Sequence, residues 1–311
     1  MQSLALLLKS YRGDAEYARR LLASFATFNT DDLSLYIVVP EDDVQHFTRM
    51  APERAEVLSE SMLKKHLVDH PVLGLRPGYI NQEIVKLAFA ELGIAANYFC
   101  VDSDAEFIRP FGRRDFMFDE TTPYQVLVED RELKVEPTYY EQYWESRQQS
   151  LRRIAHEVGL DDRVILTCHG HQVFSARVLE SFREDFLAPR GWTYADALAV
   201  APYEFSWYNL WLQKSGVIPI HAREPWVKVF HHEGNHFEAI LRHITVDDLA
   251  RAYLAVVVNS NYSRDLGLLD VRAPKPAALA PYLSYGEVWQ VVRVKVGDTW
   301  RRRVSRRERR G

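Results

Sequence analysis

The chain has 311 residues, of which 47% are hydrophobic and 12% aromatic, and this composition excludes a disordered protein. The net charge is −4, but the last eleven residues hold seven Arg and one Glu, so the remainder carries about −10. Two cysteines without a Cys-x-x-Cys pair exclude a disulfide framework and a thiolate zinc site, and they favour the cytoplasm.

The first fifty residues alternate between strand and helix patterns. Apolar runs over 4–10 and 33–40 predict buried strands, and the spacing over 15–28 predicts a helix between them. A short helix is expected after the second strand. This order predicts an α/β fold with a mostly parallel sheet flanked by helices. In such sheets, ligands bind at the carboxyl ends of the strands, which here are Ser10-Tyr11 and the segment after Pro40.

The next segment combines a helix with a strand that ends in carboxylates. Residues 78–93 predict a helix on which Gln82 and Lys86 share a face. Residues 96–111 predict a buried strand containing Asp102-Ser103-Asp104. In an extended segment the two carboxylates would lie on one face, about 7 Å apart, where they suit a divalent cation and a diphosphate. The alternative is a solvated turn or a helix cap.

The second half is less regular, and no repeat or linker divides it. The patterns predict a strand or loop and one or two helices over 112–160, and a strand, a polar turn and a helix over 164–182. A helix should follow Glu204 and end at Gly216, and a short strand should lead to His231 and His232. A last helix is expected from Asp247 or Asp248 through the apolar run that ends at 258.

The string His232-Glu233-Gly234-Asn235-His236 matches the H-E-x-x-H pattern of zinc metalloproteases. That pattern needs a regular helix, whereas Gly and Asn are weak helix formers and the preceding residues alternate like a strand. The glycine and third histidine of the longer metalloprotease pattern are also missing. A zinc hydrolase that uses His232, Glu233 and His236 remains an alternative.

Three stretches together resemble the glycosyltransferases of the GT-A fold, and more closely a largely uncharacterised bacterial group of glycosyltransferases. That group shows K-S-Y-x-x-D after the first strand, G-Y-x-x-Q-x-x-x-K on a helix, and V-D-S-D. The chain has these residues at Lys9–Asp14, Gly78–Lys86 and Val101–Asp104. The resemblance covers roughly residues 1–240.

The resemblance implies a metal-dependent enzyme that moves a sugar from a nucleotide-sugar donor to a glycan or lipid-linked acceptor, as in the synthesis of cell-envelope polysaccharide. Its implied site residues are Ser10, Tyr11 and Asp14 at the nucleotide, Gln82 and Lys86 at the donor sugar or diphosphate, and Asp102, Ser103 and Asp104 at the ribose and the Mn²⁺ or Mg²⁺ ion.

Glu204 and the late histidines complete the implied site. Glu204 would be the general base on the acceptor side, with a helix-stabilising acid as the alternative. His231 or His232 would return to the cleft as a late metal ligand, with a surface histidine as the alternative. A non-catalytic nucleotide-sugar-binding protein is the other functional alternative.

The implied organisation is one catalytic domain over 1–245, with a nucleotide-binding half at 1–111 and an acceptor-side half at 112–245. A helical or irregular extension would occupy 246–300. The Arg-rich tail at 301–311 is either a solvated terminus or a tether to the inner face of the membrane, with about 1 kcal/mol for each Arg near anionic lipid. Deleting this tail should lower binding to anionic liposomes if it is a tether. No nucleic-acid partner is expected.

Overall fold

The computed structural model describes residues 1–128, 134, 137–161, 166–168, 170–231, 239, 242, 244–258 and six positions between 285 and 296. Its strands are β1 Ala5–Lys9, β2 Leu35–Val39, β3 Ala55–Ser59, β4 Asn97–Val101, β5 Ala105–Phe107, β6 Tyr124–Val126, β7 Val173–Ser175, β8 His221–Arg223, β9 Val227–Phe230 and β10 Ala255–Val258. Its α-helices are α1 Ala15–Phe28, α2 Val44–Thr48, α3 Pro77–Ala88, α4 Arg113–Phe116, α5 Pro137–Val158, α6 Ala176–Ser181, α7 Ala188–Arg190, α8 Tyr194–Val200, α9 Glu204–Ser215 and α10 Val246–Ala250.

A five-stranded sheet in the order β3-β2-β1-β4-β7 forms the centre of the fold. Its first four strands are parallel, and β7 runs antiparallel to β4. Every residue of β1, β2 and β4 is buried, because helices cover both faces of a parallel sheet and leave no solvated side. The predicted α/β class with a mostly parallel sheet is confirmed.

The helices α1 and α3 confirm the predictions for 15–28 and 78–93. The second of these continues as a 3₁₀ turn to Leu92 and stops at Gly93, whose φ of 66° suits a residue without a side chain. The predicted helix after Glu204 is also confirmed as α9, which packs against α3. This packing brings the side chains of Lys86 on α3 and Glu204 on α9 into contact.

A second sheet, in the order β5-β10-β9, lies beside the end of β4. The expected helix through 254–258 was wrong, because α10 ends at Ala250 and the Ala-Val-Val-Val run forms β10 between two other strands. Valine is β-branched and favours a strand with a neighbouring strand on each side. The two neighbours here, β5 and β9, are more than twenty residues away in the chain.

The prediction for 164–182 placed the strand on the wrong side of the histidine turn. Leu166–Cys168 is irregular, and the strand is β7, which follows Gln172 and pairs with β4. The helix that starts at Ala176 was predicted correctly. Among the helices that the structure describes, none is long and apolar enough to cross a membrane.

Candidate active site

The crevice beyond the carboxyl ends of β1 and β4 is the switch point of the main sheet. The strand β1 lies between β2 and β4. The chain continues from β1 to β2 and β3 on one side and then crosses back to β4 on the other side. Ser10 follows β1 and Ser103 follows β4, and the two buried hydroxyls share a hydrogen bond of 2.9 Å. The structure thus brings together two predicted site residues that are 93 positions apart.

The segment Asp102–Asp104 is a turn between two sheets, which corrects the extended geometry expected from the sequence. The strand β4 ends at Val101, and the backbone N–H of Ala105 donates to the Asp102 carbonyl at 3.1 Å. The chain turns here because β5 belongs to the second sheet. Asp102 and Asp104 are both half-buried while Ser103 is buried, so each carboxylate keeps access to solvent.

Lys86 connects this turn to the helix α9. Its side chain is 3% exposed, and its Nζ lies 3.1 Å from Asp102 Oδ1 and 2.8 Å from Glu204 Oε1. Burial opposes the charged form, but the two carboxylates outweigh it and hold the pKa of Lys86 well above its usual value. The Lys86 ammonium group is therefore charged at neutral pH, and its ion pair holds the Asp102 carboxylate in place.

Glu204, the first residue of α9, is buried and bonded on two sides. Lys86 donates to its Oε1, and the Glu83 carboxyl group lies within hydrogen-bonding reach. Burial opposes its ionisation, but Lys86 and Glu83 together hold the Glu204 pKa below the usual value.

Glu83 was not among the residues predicted for the site. It lies on α3, one turn before Lys86, and is 4% exposed. The signal in the sequence was its position in the apolar stripe formed with Ile80, Ile84 and Leu87, all of which are buried. An acidic residue at such a position needs a partner inside the protein, and here the partner is Glu204.

His171 lies near the other carboxylate oxygen of Asp102. Its Nε2 lies 3.6 Å from Asp102 Oδ2, and its side chain is 6% exposed. The backbone has a φ of +57°, which a non-glycine residue adopts only at a cost. His169, the other histidine of this turn, lies outside the described residues.

The remaining predicted residues of the nucleotide pocket surround this centre. Asp14 precedes α1, and burial raises its pKa, with Arg76 lowering it and Asp102 raising it further. Tyr11 is 42% exposed beside the crevice. Gln82 is half-buried on α3, one turn before Lys86.

His231 directly follows β9, and the register of the second sheet places it near Asp104. Phe230 pairs with Val258, and the preceding Val257 pairs with Ala105, so the end of β9 is level with Asp104. Two strand spacings separate them, which is about 10 Å between backbones. The other predicted histidine ligand, His232, and the Glu233 and His236 of the zinc-protease string lie outside the described residues.

The carboxylates at the crevice suit a hard cation that brings most of its own ligands. In the part of the chain that the structure describes, no three His, Cys, Asp or Glu side chains form a metal-binding cluster. Mg²⁺ and Mn²⁺ are often held by one or two carboxylates together with substrate phosphates and water, so Asp102 and Asp104 fit this sparse type of site.

Comparison with known proteins gives a family. A sequence model described as a family of unknown function, DUF6492, matches residues 3–252, which is most of the chain. The chain belongs to this family. No curated protein matches the chain.

Two solved structures resemble this DUF6492 chain at 11% sequence identity. One is the apo form of mouse xyloside xylosyltransferase 1, with a TM-score of 0.44, covering 83% of this chain and 98% of that one. The other is the apo structure of WbbM, described as a bifunctional glycosyltransferase, with a TM-score of 0.47 over 83% of this chain and 46% of that one.

Proposed function

We propose that this protein is a metal-dependent glycosyltransferase that moves a sugar from a nucleotide-sugar donor to a glycan or lipid-linked acceptor. The observation that carries the proposal is the constellation at the switch point between β1 and β4. There the Ser10 and Ser103 hydroxyls meet, and a turn presents Asp102 and Asp104 above a buried lysine. The sequence resemblance to GT-A glycosyltransferases points to the same chemistry.

The charge of the crevice supports metal dependence. Asp14 and Asp102 are close enough to influence each other electrostatically, and Asp104 lies two residues further along the turn. A diphosphate beside these carboxylates would be repelled unless a divalent cation stood between them. Asp102 and Asp104 would hold such an ion, with His231 or His232 as a further ligand. When bound, the ion offsets the charge that develops on the leaving diphosphate.

The surrounding residues bind and orient the donor in this proposal. Tyr11 and Asp14 would line the nucleoside pocket with Ser10, and Gln82 would reach the donor sugar. Lys86 would act through Asp102, because its ammonium is buried and already donates to two carboxylates.

The contacts of Glu204 favour a positioning role over the predicted role of general base. A general base needs an oxygen directed at the acceptor and a pKa near the working pH. Glu204 is 5% exposed, accepts a hydrogen bond from Lys86, has Glu83 beside it, and has a lowered pKa. We therefore propose that Glu204 orients Lys86, which in turn orients Asp102.

Turnover of donor tests the proposal. The protein would be incubated with UDP-, GDP- and CMP-sugars and Mn²⁺, and release of the nucleotide would be measured. At least one donor should be turned over, and Asp104→Asn should reduce the rate about 100-fold or more. Asp247→Asn, in an exposed position on α10, should retain the wild-type rate.

Two results would oppose the proposal. An Asp104→Asn variant as active as wild type would remove the metal site from the mechanism. A donor that binds tightly without any turnover, in the presence of an acceptor mixture, would instead favour the non-catalytic nucleotide-sugar-binding protein.

A further inference from the structure

Two buried carboxyl groups lie next to each other behind the crevice. Glu83 on α3 and Glu204 on α9 are 4% and 5% exposed, and they lie within hydrogen-bonding reach of each other. An ionised carboxylate has no proton to donate, so a hydrogen bond between them requires that one of the two is protonated. Among the neighbouring groups, Lys86 favours the ionisation of Glu83 and Asp102 opposes it, and the Glu83 charge in turn raises the pKa of Tyr79.

The neighbours of the pair decide which carboxyl group keeps the proton. Lys86 donates directly to Glu204 at 2.8 Å, which favours the ionised form of Glu204. Oε2 of Glu83 is buried and has no hydrogen-bond partner among the described residues. An ionised group in that position would carry a large desolvation cost, whereas a neutral carboxyl group carries a much smaller one. Burial and the nearby Glu204 carboxylate both raise the pKa of Glu83.

We propose that Glu83 is a positioning residue that stays protonated at neutral pH and donates its proton in a hydrogen bond to Glu204. The bond fixes Glu204 against Lys86, and Lys86 then holds Asp102 at the crevice. Its effect on catalysis rests on the proposed function, because Asp102 is assigned there to the donor and metal.

The proton also balances the charge of the buried groups. With Glu83 neutral, the Lys86 ammonium faces two carboxylates, Glu204 and Asp102. Ionisation of Glu83 would add a third carboxylate within the same buried group and draw Lys86 away from Asp102. Ionisation of Glu83 at alkaline pH should therefore loosen Asp102.

Infrared spectroscopy tests where the proton is, without any donor. The wild-type protein at neutral pH should show the C=O stretch of a buried carboxylic acid, and Glu83→Gln should remove that band. Glu53→Gln, which replaces an exposed glutamate, should leave the band in place. A spectrum in which Glu83→Gln changes nothing would show that Glu83 is ionised and would overturn the proposal.

A second measurement tests the positioning role. The ammonium signal of Lys86 in nitrogen-15 NMR should be visible in wild type and in Glu83→Gln, because the amide of Gln can donate the same hydrogen bond. Glu83→Leu should lose that signal through faster proton exchange, and should weaken donor binding about tenfold or more. An unchanged Lys86 signal in Glu83→Leu would overturn the positioning role.

The infrared and NMR measurements distinguish failure of this inference from failure of the proposed function. If no nucleotide-sugar binds while the infrared band and the Lys86 signal respond as expected, the glycosyltransferase proposal fails and the role of Glu83 stands. If donors bind and the infrared band is absent, the proposed role of Glu83 fails and the glycosyltransferase proposal stands.

Discussion

At the scale of single residues, Lys86 is the group on which the candidate site depends. Its ammonium group contacts both Asp102 and Glu204, and its side chain is 3% exposed. A buried charge is tolerated only with partners, and its removal leaves those partners without compensation.

We therefore expect Lys86→Met to lower the free energy of unfolding by about 3–5 kcal/mol, since it leaves two carboxylates without their buried cation. Urea denaturation would measure the loss. Lys65→Met is the matched control, because Lys65 is 68% exposed in its pair with Glu91 and should lose at most about 1 kcal/mol. Equal losses in the two variants would contradict the structural role of Lys86.

The sequence predicted Lys86, Asp102 and Glu204 but not how they connect. Asp102 stood at the end of a predicted strand and Glu204 at the start of a predicted helix. Lys86 shared a helix face with Gln82, and the resemblance to GT-A glycosyltransferases supplied the roles of all three. Glu83 was not predicted, because the i, i+4 spacing on α3 paired Lys86 with Gln82, the polar residue next to Glu83. The turn at Asp102–Asp104 was missed because the change of sheet after β4 depends on pairing with β10, more than 150 residues away.

At the scale of elements, Glu91 contacts four side chains from three separate segments behind α3. It accepts from Lys65 at 2.8 Å and lies 2.9 Å from His66 Nε2, while Tyr194 of α8 donates at 3.0 Å and Arg183 approaches to 3.4 Å. Burial opposes its ionisation, but the close contacts with His66 and Lys65 outweigh burial and lower the Glu91 pKa to about 2. This cluster holds the end of α3, and hence Lys86, against α8.

The lowered pKa of Glu91 gives a pH-dependent prediction. A carboxylate whose pKa falls on folding contributes stability above its unfolded pKa of about 4.5, and that contribution is lost as pH falls toward 2. Glu91→Gln should therefore be less stable than wild type at neutral pH, and the difference should shrink as pH falls below about 4.5.

Urea midpoints measured across this pH range would check the prediction. The exposed Glu53 provides the control, because Glu53→Gln should remain close to wild type at every pH. A difference between Glu91→Gln and wild type that stays constant from neutral to acid pH would show that Glu91 does not contribute through its charge.

Helices and strands were predicted well where the local sequence pattern determines the structure, and poorly where pairing with a distant strand determines it. The helices α1, α3 and α9 follow apolar spacing and end at glycines or turn residues, which are local signals. The run at 255–258 and the strand β7 depend on distant partners. Short apolar runs fit either a helix or a strand until those partners are known.

At the scale of the whole molecule, the β-α-β-α start predicted a mostly parallel sheet with covering helices. The strands β1, β2 and β4 were predicted from their apolar runs, whereas β3 was not predicted, and the switch point between β1 and β4 follows from the strand order. The second sheet could not be predicted, because β5, β9 and β10 come from residues that are far apart in the chain.

Binding of a nucleotide-sugar at the switch point is the central claim, and a calorimetric titration tests it most directly. UDP-, GDP- and CMP-sugars would be titrated into the protein with and without Mn²⁺, in parallel with Asp104→Ala and with Asp247→Ala as the control. We predict that one donor binds in a manner that requires Mn²⁺, that Asp104→Ala loses at least about tenfold in affinity, and that the control binds like wild type. Absence of binding for every donor, or an Asp104→Ala variant indistinguishable from wild type, would contradict the claim.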